Sequence, residues 1–168
     1  MMLVGTNIYI VEKAWKKVNI MRKLKFALDR RSLEVIYTSF NRPGLEYADV
    51  VWCNLCNYDS DKLDKIQNEC ARIVTGATRL VSLQRLQQEC NWESLTVRRH
   101  KHRMTHFFKM YKNLVPEYLS SLIPRQRESR YSLRNEQDTP GIQCRTNMYL
   151  NSFLPTAVRE WNDLPLYT

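Results

Sequence analysis

The chain has 168 residues, of which 43% are hydrophobic, and a net charge of +9. That hydrophobic share is enough to build a core in one domain or two small ones, so intrinsic disorder is not expected. The positive charge favours an acidic partner, nucleic acid first among them, with mere solubility as the alternative.

The charge is unevenly placed. Residues 1–31 carry eight Lys/Arg against two acids, residues 32–70 carry three against seven, and residues 98–112 carry six with no acid. Two basic segments therefore flank an acidic one. Only four glycines occur, which argues against long β-rich loops. The five cysteines are an odd number, and Met1 to Val11 has neither a basic n-region nor a cleavage site. The expectation is an intracellular, reduced protein, nuclear or cytoplasmic and not secreted. No apolar run approaches the ~20 residues that span a bilayer, so no membrane role is expected.

In chain order, residues 1–10 show little pattern and read as a lead-in. Val11, Ala14, Trp15, Val18, Met21, Leu24 and Leu28 then step by three or four residues, the period of a helix. Its polar side carries Lys13, Lys16, Lys17, Arg22, Lys23 and Lys25, either a solvated face or one that meets phosphates. Ser32 reads as the next N-cap, ahead of a stripe through Leu33, Ile36, Tyr37 and Phe40. Pro43-Gly44 interrupts or kinks that stripe, which resumes through Tyr47, Ala48 and Val51 to end near Trp52. The small residues Gly44 and Ala48 leave room for a neighbouring helix. Asp59 or Ser60 caps a helix with Leu63, Ile66, Cys70, Ile73 and Val74 inside and Gly76 as its stop. Ser82 caps Leu83 to Cys90, which stops at Asn91.

Ser94 opens the most basic helix. At roughly 100° per residue, Met104, Phe107, Phe108 and Tyr111 fall on one arc, and Arg98, Arg99, Lys101 and Arg103 are expected on the exposed remainder. Pro116 starts a short helix, Glu117 to Leu122, closed by Pro124. Residues 124–147 read as a loop in which Tyr131–Arg134 and Gln143–Thr146 form short extended pieces, a candidate hairpin. Thr156 to Trp161 is a last helix within a C-terminal segment, 148–168. The fold class expected is mainly α: about six helices, a helical domain over 11–123, and a small irregular C-terminal part.

Cys53-Asn-Leu-Cys56 is a C-x-x-C whose only completion toward a tetrahedral zinc set is His102 and His106. The gap is long and no second close pair exists, so the cysteines read as apolar fillers, and no metal or other cofactor is expected. Trp92 has the form of a base-stacking residue, but an aromatic just before an N-cap more often packs as a hydrophobic staple. Glu46-Tyr-Ala-Asp49 lacks the paired carboxylate that two-metal phosphoryl transfer requires, because Val50 follows, and Asp49 reads as a helix-surface acid. No Gly-rich phosphate loop and no nucleophile elbow occurs. No catalytic residues are expected.

Five blocks, taken together, resemble one family. They are Ala14-Trp-Lys-Lys-Val-Asn-Ile-Met-Arg-Lys-Leu24, Arg42-Pro-Gly-Leu-Glu-Tyr-Ala-Asp-Val-Val-Trp52, Leu63-Asp-Lys-Ile-Gln-Asn-Glu-Cys-Ala-Arg-Ile-Val-Thr-Gly76, Tyr131-Ser-Leu-Arg-Asn135 and Asn151-Ser-Phe-Leu-Pro-Thr-Ala-Val-Arg-Glu-Trp-Asn-Asp-Leu-Pro165. In order and spacing they resemble the C-terminal, thumb and post-thumb region of non-LTR (LINE-type, jockey-like) retrotransposon reverse transcriptases, RNA-directed DNA polymerases. The resemblance implies a non-catalytic fragment, because the catalytic palm of such enzymes lies upstream. It also implies a thumb-like grip on the backbone of a nucleic-acid duplex and a natural partner in the missing palm and fingers. The candidate phosphate contacts, chosen on charge and helix geometry, are Lys16, Lys17, Lys23, Arg98, Arg99, Lys101 and Arg103. The rival reading is a helical protein-interaction or scaffold module with no nucleic-acid role.

Overall fold

Ala14, Val18 and Met21 recur at helical spacing and are fully or nearly fully buried. They anchor the longest helix of the chain, α1 (Met2–Leu24). In a computed structural model, residues 2–51, 57–124 and 139–164 are described, with side chains from Tyr9 onward in α1 and from Asp59 onward after the first gap. The expected lead-in over residues 1–10 is thus helical from Met2. Extending a helix that packing has already nucleated adds a hydrogen bond per residue fixed, and one glycine costs only about 1 kcal/mol against that.

Then follow α2 (Arg30–Ile36), a π-helical turn (Tyr37–Asn41), α3 (Arg42–Glu46), α4 (Asn57–Thr75), α5 (Leu83–Cys90), α6 (Leu95–Tyr111), α7 (Glu117–Ser120), α8 (Asn147–Leu150) and α9 (Phe153–Asn162). The fold is mainly helical, and the described residues contain no β-strand. Gln143 and Cys144 are irregular, and the other half of the suggested hairpin, 131–134, lies outside the described residues. No helix among the described residues is long and apolar enough to cross a membrane.

The chain divides into two compact units, Met1–Asp49 with Leu55–Arg99 and Val50–Asn54 with His100–Thr168. The boundary falls inside α6, where a single helical domain over 11–123 was expected. In the first unit, α4 lies against α1, α2 and α5. Leu63, Ile66, Cys70, Ile73 and Val74 all face its core, as their spacing predicts. Each large aliphatic side chain buried this way contributes roughly 1.5–3 kcal/mol. Burial also pushes the Cys70 and Cys90 thiols up to about 12 and about 11, as expected of inert packing groups. In the second unit, Phe107 of α6 meets Ala157 and Val158 of α9, with Met104, Ile123, Leu154 and Trp161 around them.

The helix ends follow local chemistry. Ser82 Oγ accepts from the Arg85 amide and Asn91 closes α5 at φ 52°. Gly76, just past Thr75, has φ 70°, a left-handed stop that glycine adopts without strain. The α2 cap is Asp29 instead of Ser32: its carboxylate accepts from the Ser32 amide, and the Ser32 side chain first and that amide second hold the carboxyl below its ordinary pKa. The stripe after Pro43 does not resume through Val51. Proline's missing N–H disrupts the ladder, and the widened Tyr37–Asn41 turn precedes it. After α3 the chain turns, Ala48 takes φ 54°, and Asp49 is buried where a helix-surface acid was expected.

Candidate nucleic-acid interface

The outer face of α1 follows from its inner one. With Ala14, Val18 and Met21 buried, the opposite face is Tyr9, Glu12, Lys13, Lys16, Ile20 and Lys23, all six side chains exposed and cations outnumbering the one acid. Lys13 to Lys23 covers about 15 Å at 1.5 Å per residue. Lys25, just beyond the helix, is exposed as well. Lys16 and Lys23 therefore stand where the sequence places them, on a solvent-facing cationic line.

Lys17 does not share that line. It leans to the side, donates from Nζ to the Phe40 carbonyl, and lies over the Phe40 ring at 4.4 Å. Partial burial lowers its ammonium pKa, and the charge of Lys13 lowers it further. The approach of α3 to α1 is close here: a Cβ on Gly44 would stand 3.2 Å from Lys17 Nζ. The predicted room at position 44 is thus used by a lysine head.

The arginines of α6 are not on an exposed face. Arg98 is 5% exposed and Arg99 9%. Arg98 pairs with Glu46 of α3 and lies within electrostatic reach of the Tyr37 hydroxyl. Arg99 Nη1 donates to Ser60 Oγ at 3.3 Å and lies within electrostatic reach of Asp64 and Asp49. Burial lowers the pKa of both guanidiniums, against which these acids and the Tyr37 hydroxyl act in the opposite sense. In the second unit Arg103 makes a two-bond fork to Glu160, Nε to Oε2 at 2.7 Å and Nη2 to Oε1 at 2.5 Å. His100 Nδ1 lies 3.2 Å from the same carboxylate.

The error in the expected face has a clear origin. Steps of four back from Phe107 run through Arg103 and Arg99 to Leu95, so arginines occupy positions of the buried stripe. The stripe drawn from Met104, Phe107, Phe108 and Tyr111 is right for Phe107, but Phe108 and Tyr111 are each more than 40% exposed. These rings gather around Trp161, with centroids 5.4 Å from Phe107, 6.3 Å from Phe108 and 5.6 Å from Tyr111. Lys101 and Lys109 remain exposed on α6, and Lys112 just beyond it.

Trp92 stacks on Tyr37 at 3.8 Å with planes 16° apart, so its ring face is taken within the protein and not offered to a base. Cys53 and Cys56 lie outside the described residues. Among the described residues no group of three or more His, Cys, Asp or Glu is placed to hold a metal ion.

Sequence reading passed over the aromatic companions of the lysines. Lys13 Nζ lies 5.6 Å from the Tyr9 ring centre and Lys25 Nζ 5.1 Å from that of Phe26, while Phe26 is 87% exposed. The Tyr9–Lys13 spacing of four residues was the available signal. Hollows formed by described residues border α1. One of about 360 Å³ is lined by Tyr9, Lys13, Lys17, Asn41, Gly44 and Tyr47, among others. Another, about 380 Å³, has Arg22, Lys25, Arg72 and Arg79 on its wall with Glu69, which already holds Arg22 at 2.7 Å. Comparison with family models, with curated proteins and with solved structures gives no match.

Proposed function

We propose that this chain is a non-catalytic, C-terminal piece of a retrotransposon-type RNA-directed DNA polymerase that holds nucleic acid by its backbone. The observation that carries the binding part is the stripe Lys13, Lys16 and Lys23, exposed along one face of α1 and opposite its buried face. An ammonium line of this kind meets phosphates without reading bases. The family part rests on the five sequence blocks, and three residues of the last have structural roles: Glu160 holds Arg103, Trp161 gathers three rings, and Asn162 clamps Thr139 with bonds of 3.0 and 2.9 Å.

The phosphate contacts are reassigned accordingly, to Lys16 and Lys23 with Lys13 and Lys25, and away from Arg98, Arg99 and Arg103. Each neutralised phosphate of B-form DNA adds about −0.9 to the slope of log affinity against log salt. Lys16→Gln with Lys23→Gln should therefore flatten that slope by about two units and weaken binding to unrelated duplex sequences alike. An unchanged slope in the folded double variant would refute it.

The burial of Arg98 and Arg99 and the pairing of half-buried Arg103 with Glu160 favour a second reading, a helical interaction or scaffold module, because they engage three cations within the protein. Under that reading the wild-type chain has no duplex affinity beyond that of an equally basic control protein at physiological salt.

A further inference from the structure

We propose that the hollow between α1 and the π-turn–α3 segment is a stacking groove for an unpaired nucleotide, so that the chain takes single-stranded nucleic acid there in addition to duplex backbone. The inference rests on the nucleic-acid reading above and names the strand form that this part of α1 receives.

The walls carry the argument. Tyr9 and Tyr47 both line the hollow and are 61% and 75% exposed, so each offers ring surface to solvent. Flat π-faces beside a cationic track are the usual means of holding single strands, because every base has a π-face and every nucleotide a phosphate. The cations are Lys13 and Lys17, on the same wall. Partial burial first and the charge of Lys13 second lower the Lys17 pKa, and an anion placed between the two ammoniums opposes both effects.

The buried end supplies a third feature. Asn41 is fully buried and lines the hollow. Its Nδ2 meets only sulfur, Met21 Sδ at 2.7 Å and Cys70 Sγ at 3.8 Å, and its Oδ1 has no hydrogen-bond partner among the described residues. Sulfur is a weak acceptor, so either orientation of the amide leaves polar capacity unused. A base edge, with its N–H donors and carbonyl or ring-nitrogen acceptors, satisfies that capacity in either orientation. A volume of about 360 Å³ falls in the range of sites for small organic groups and admits one base with its sugar. A duplex cannot enter, because its bases are paired and stacked. An apolar peptide would bring no anion to the two ammoniums and would leave the Asn41 amide oxygen without a partner.

The test uses the full chain and fluorescence anisotropy with two labelled probes, a ten-nucleotide oligo-uridine and a ten-base-pair RNA hairpin stem. The variants are Tyr9→Ala with Tyr47→Ala, and Tyr9→Phe with Tyr47→Phe, each checked for helical content by circular dichroism. Loss of one stacked base by alanine substitution corresponds to roughly five- to 150-fold in affinity. The alanine pair should raise the single-strand Kd at least about tenfold and leave the hairpin Kd essentially unchanged. The phenylalanine pair, which keeps the rings, should retain wild-type affinity for both.

An unchanged single-strand Kd in the alanine pair, or an equal loss on both probes, would overturn the groove while leaving duplex binding in place. Uridine monophosphate competing as well as the oligomer would assign the hollow to a free nucleotide and overturn the strand. A wild-type chain that binds neither probe would overturn the nucleic-acid reading itself, and the groove with it.

Discussion

Alanine at Arg98 should destabilise the first unit, and alanine at Glu46 should destabilise it more. The Arg98 side chain is 6% exposed and that of Glu46 13%. Removing one partner of a buried ion pair costs about 3–5 kcal/mol, since the other charge is left buried and uncompensated. The two partners are not equally provided for. Glu46 keeps a second cation, with Arg42 Nε at 3.3 Å, and Arg42 itself reaches solvent. After Arg98→Ala the carboxylate is therefore still paired, and the cost lies at the lower end, about 3 kcal/mol. After Glu46→Ala the Arg98 guanidinium is left buried beside the neutral Tyr37 hydroxyl and the repelling Arg42 cation, and the cost approaches about 5 kcal/mol. For a small domain either figure is a large part of the total stability. Urea unfolding followed by far-ultraviolet circular dichroism reads both, and with slopes of about 1–3 kcal/mol per molar the midpoint should fall by one molar or more. A double variant, Arg98→Met with Glu46→Leu, should cost far less than the two alanines together, because apolar replacement of a whole buried pair is often neutral. Costs below about 1 kcal/mol for both single variants, the size seen for exposed ion pairs, would refute the burial of this pair.

Two further outcomes follow from backbone and titration. Gly76→Ala should cost about 1 kcal/mol, or roughly 3 °C in Tm, from φ strain alone. No atom lies near the new Cβ, so a loss of several kcal/mol in thermal melts would contradict the cap. Burial pushes the Tyr37 hydroxyl from 10.0 up to about 12 and the Cys70 thiol from 9.0 up to about 12. Both folded values are raised, so their stabilisation is complete below the unfolded pKa values and is lost as pH climbs toward the folded ones. Urea midpoints should hold steady up to about pH 9 and fall between pH 9 and 12, with Tyr37 alone accounting for about 2–3 kcal/mol. A midpoint still flat at pH 11 would rule this out.

The parts of the fold written in short-range chemistry were legible. Ser82, Gly76 and Asn91 mark helix ends through bonds and dihedrals that a residue or its nearest neighbours determine. The apolar spacing of α4 identified its buried side because each position agreed with the next. The candidate site was legible only where charge and periodicity told the same story, as at Lys16 and Lys23. It failed at Arg98, Arg99 and Arg103, because a hydrophobic pattern ranks arginine as exposed wherever it stands. What engages those three is the arrival of Glu46, Asp64 and Glu160 from elements 35 to 57 residues away in sequence, which no periodicity of α6 contains. Trp92 packs within the protein, the reading preferred for it over base stacking, but its partner Tyr37 lies far upstream and no local pattern names it.

The π-turn at Tyr37–Asn41 bears on how this segment tolerates change in length. A π-turn is an α-helical ladder holding one residue more than its bonds need. Removing Ser39, whose side chain only bonds back to Val35, would let the ladder close as ordinary α-helix and would rotate everything after it by roughly 100°. Asn41 and Leu45 would swing out of the core, Glu46 away from Arg98, and the Phe40 carbonyl away from Lys17. The surplus residue is in effect a phase adjuster between α2 and α3. Its presence sets which side of α3 faces α1, so substitution at Ser39 is cheap while deletion there is not.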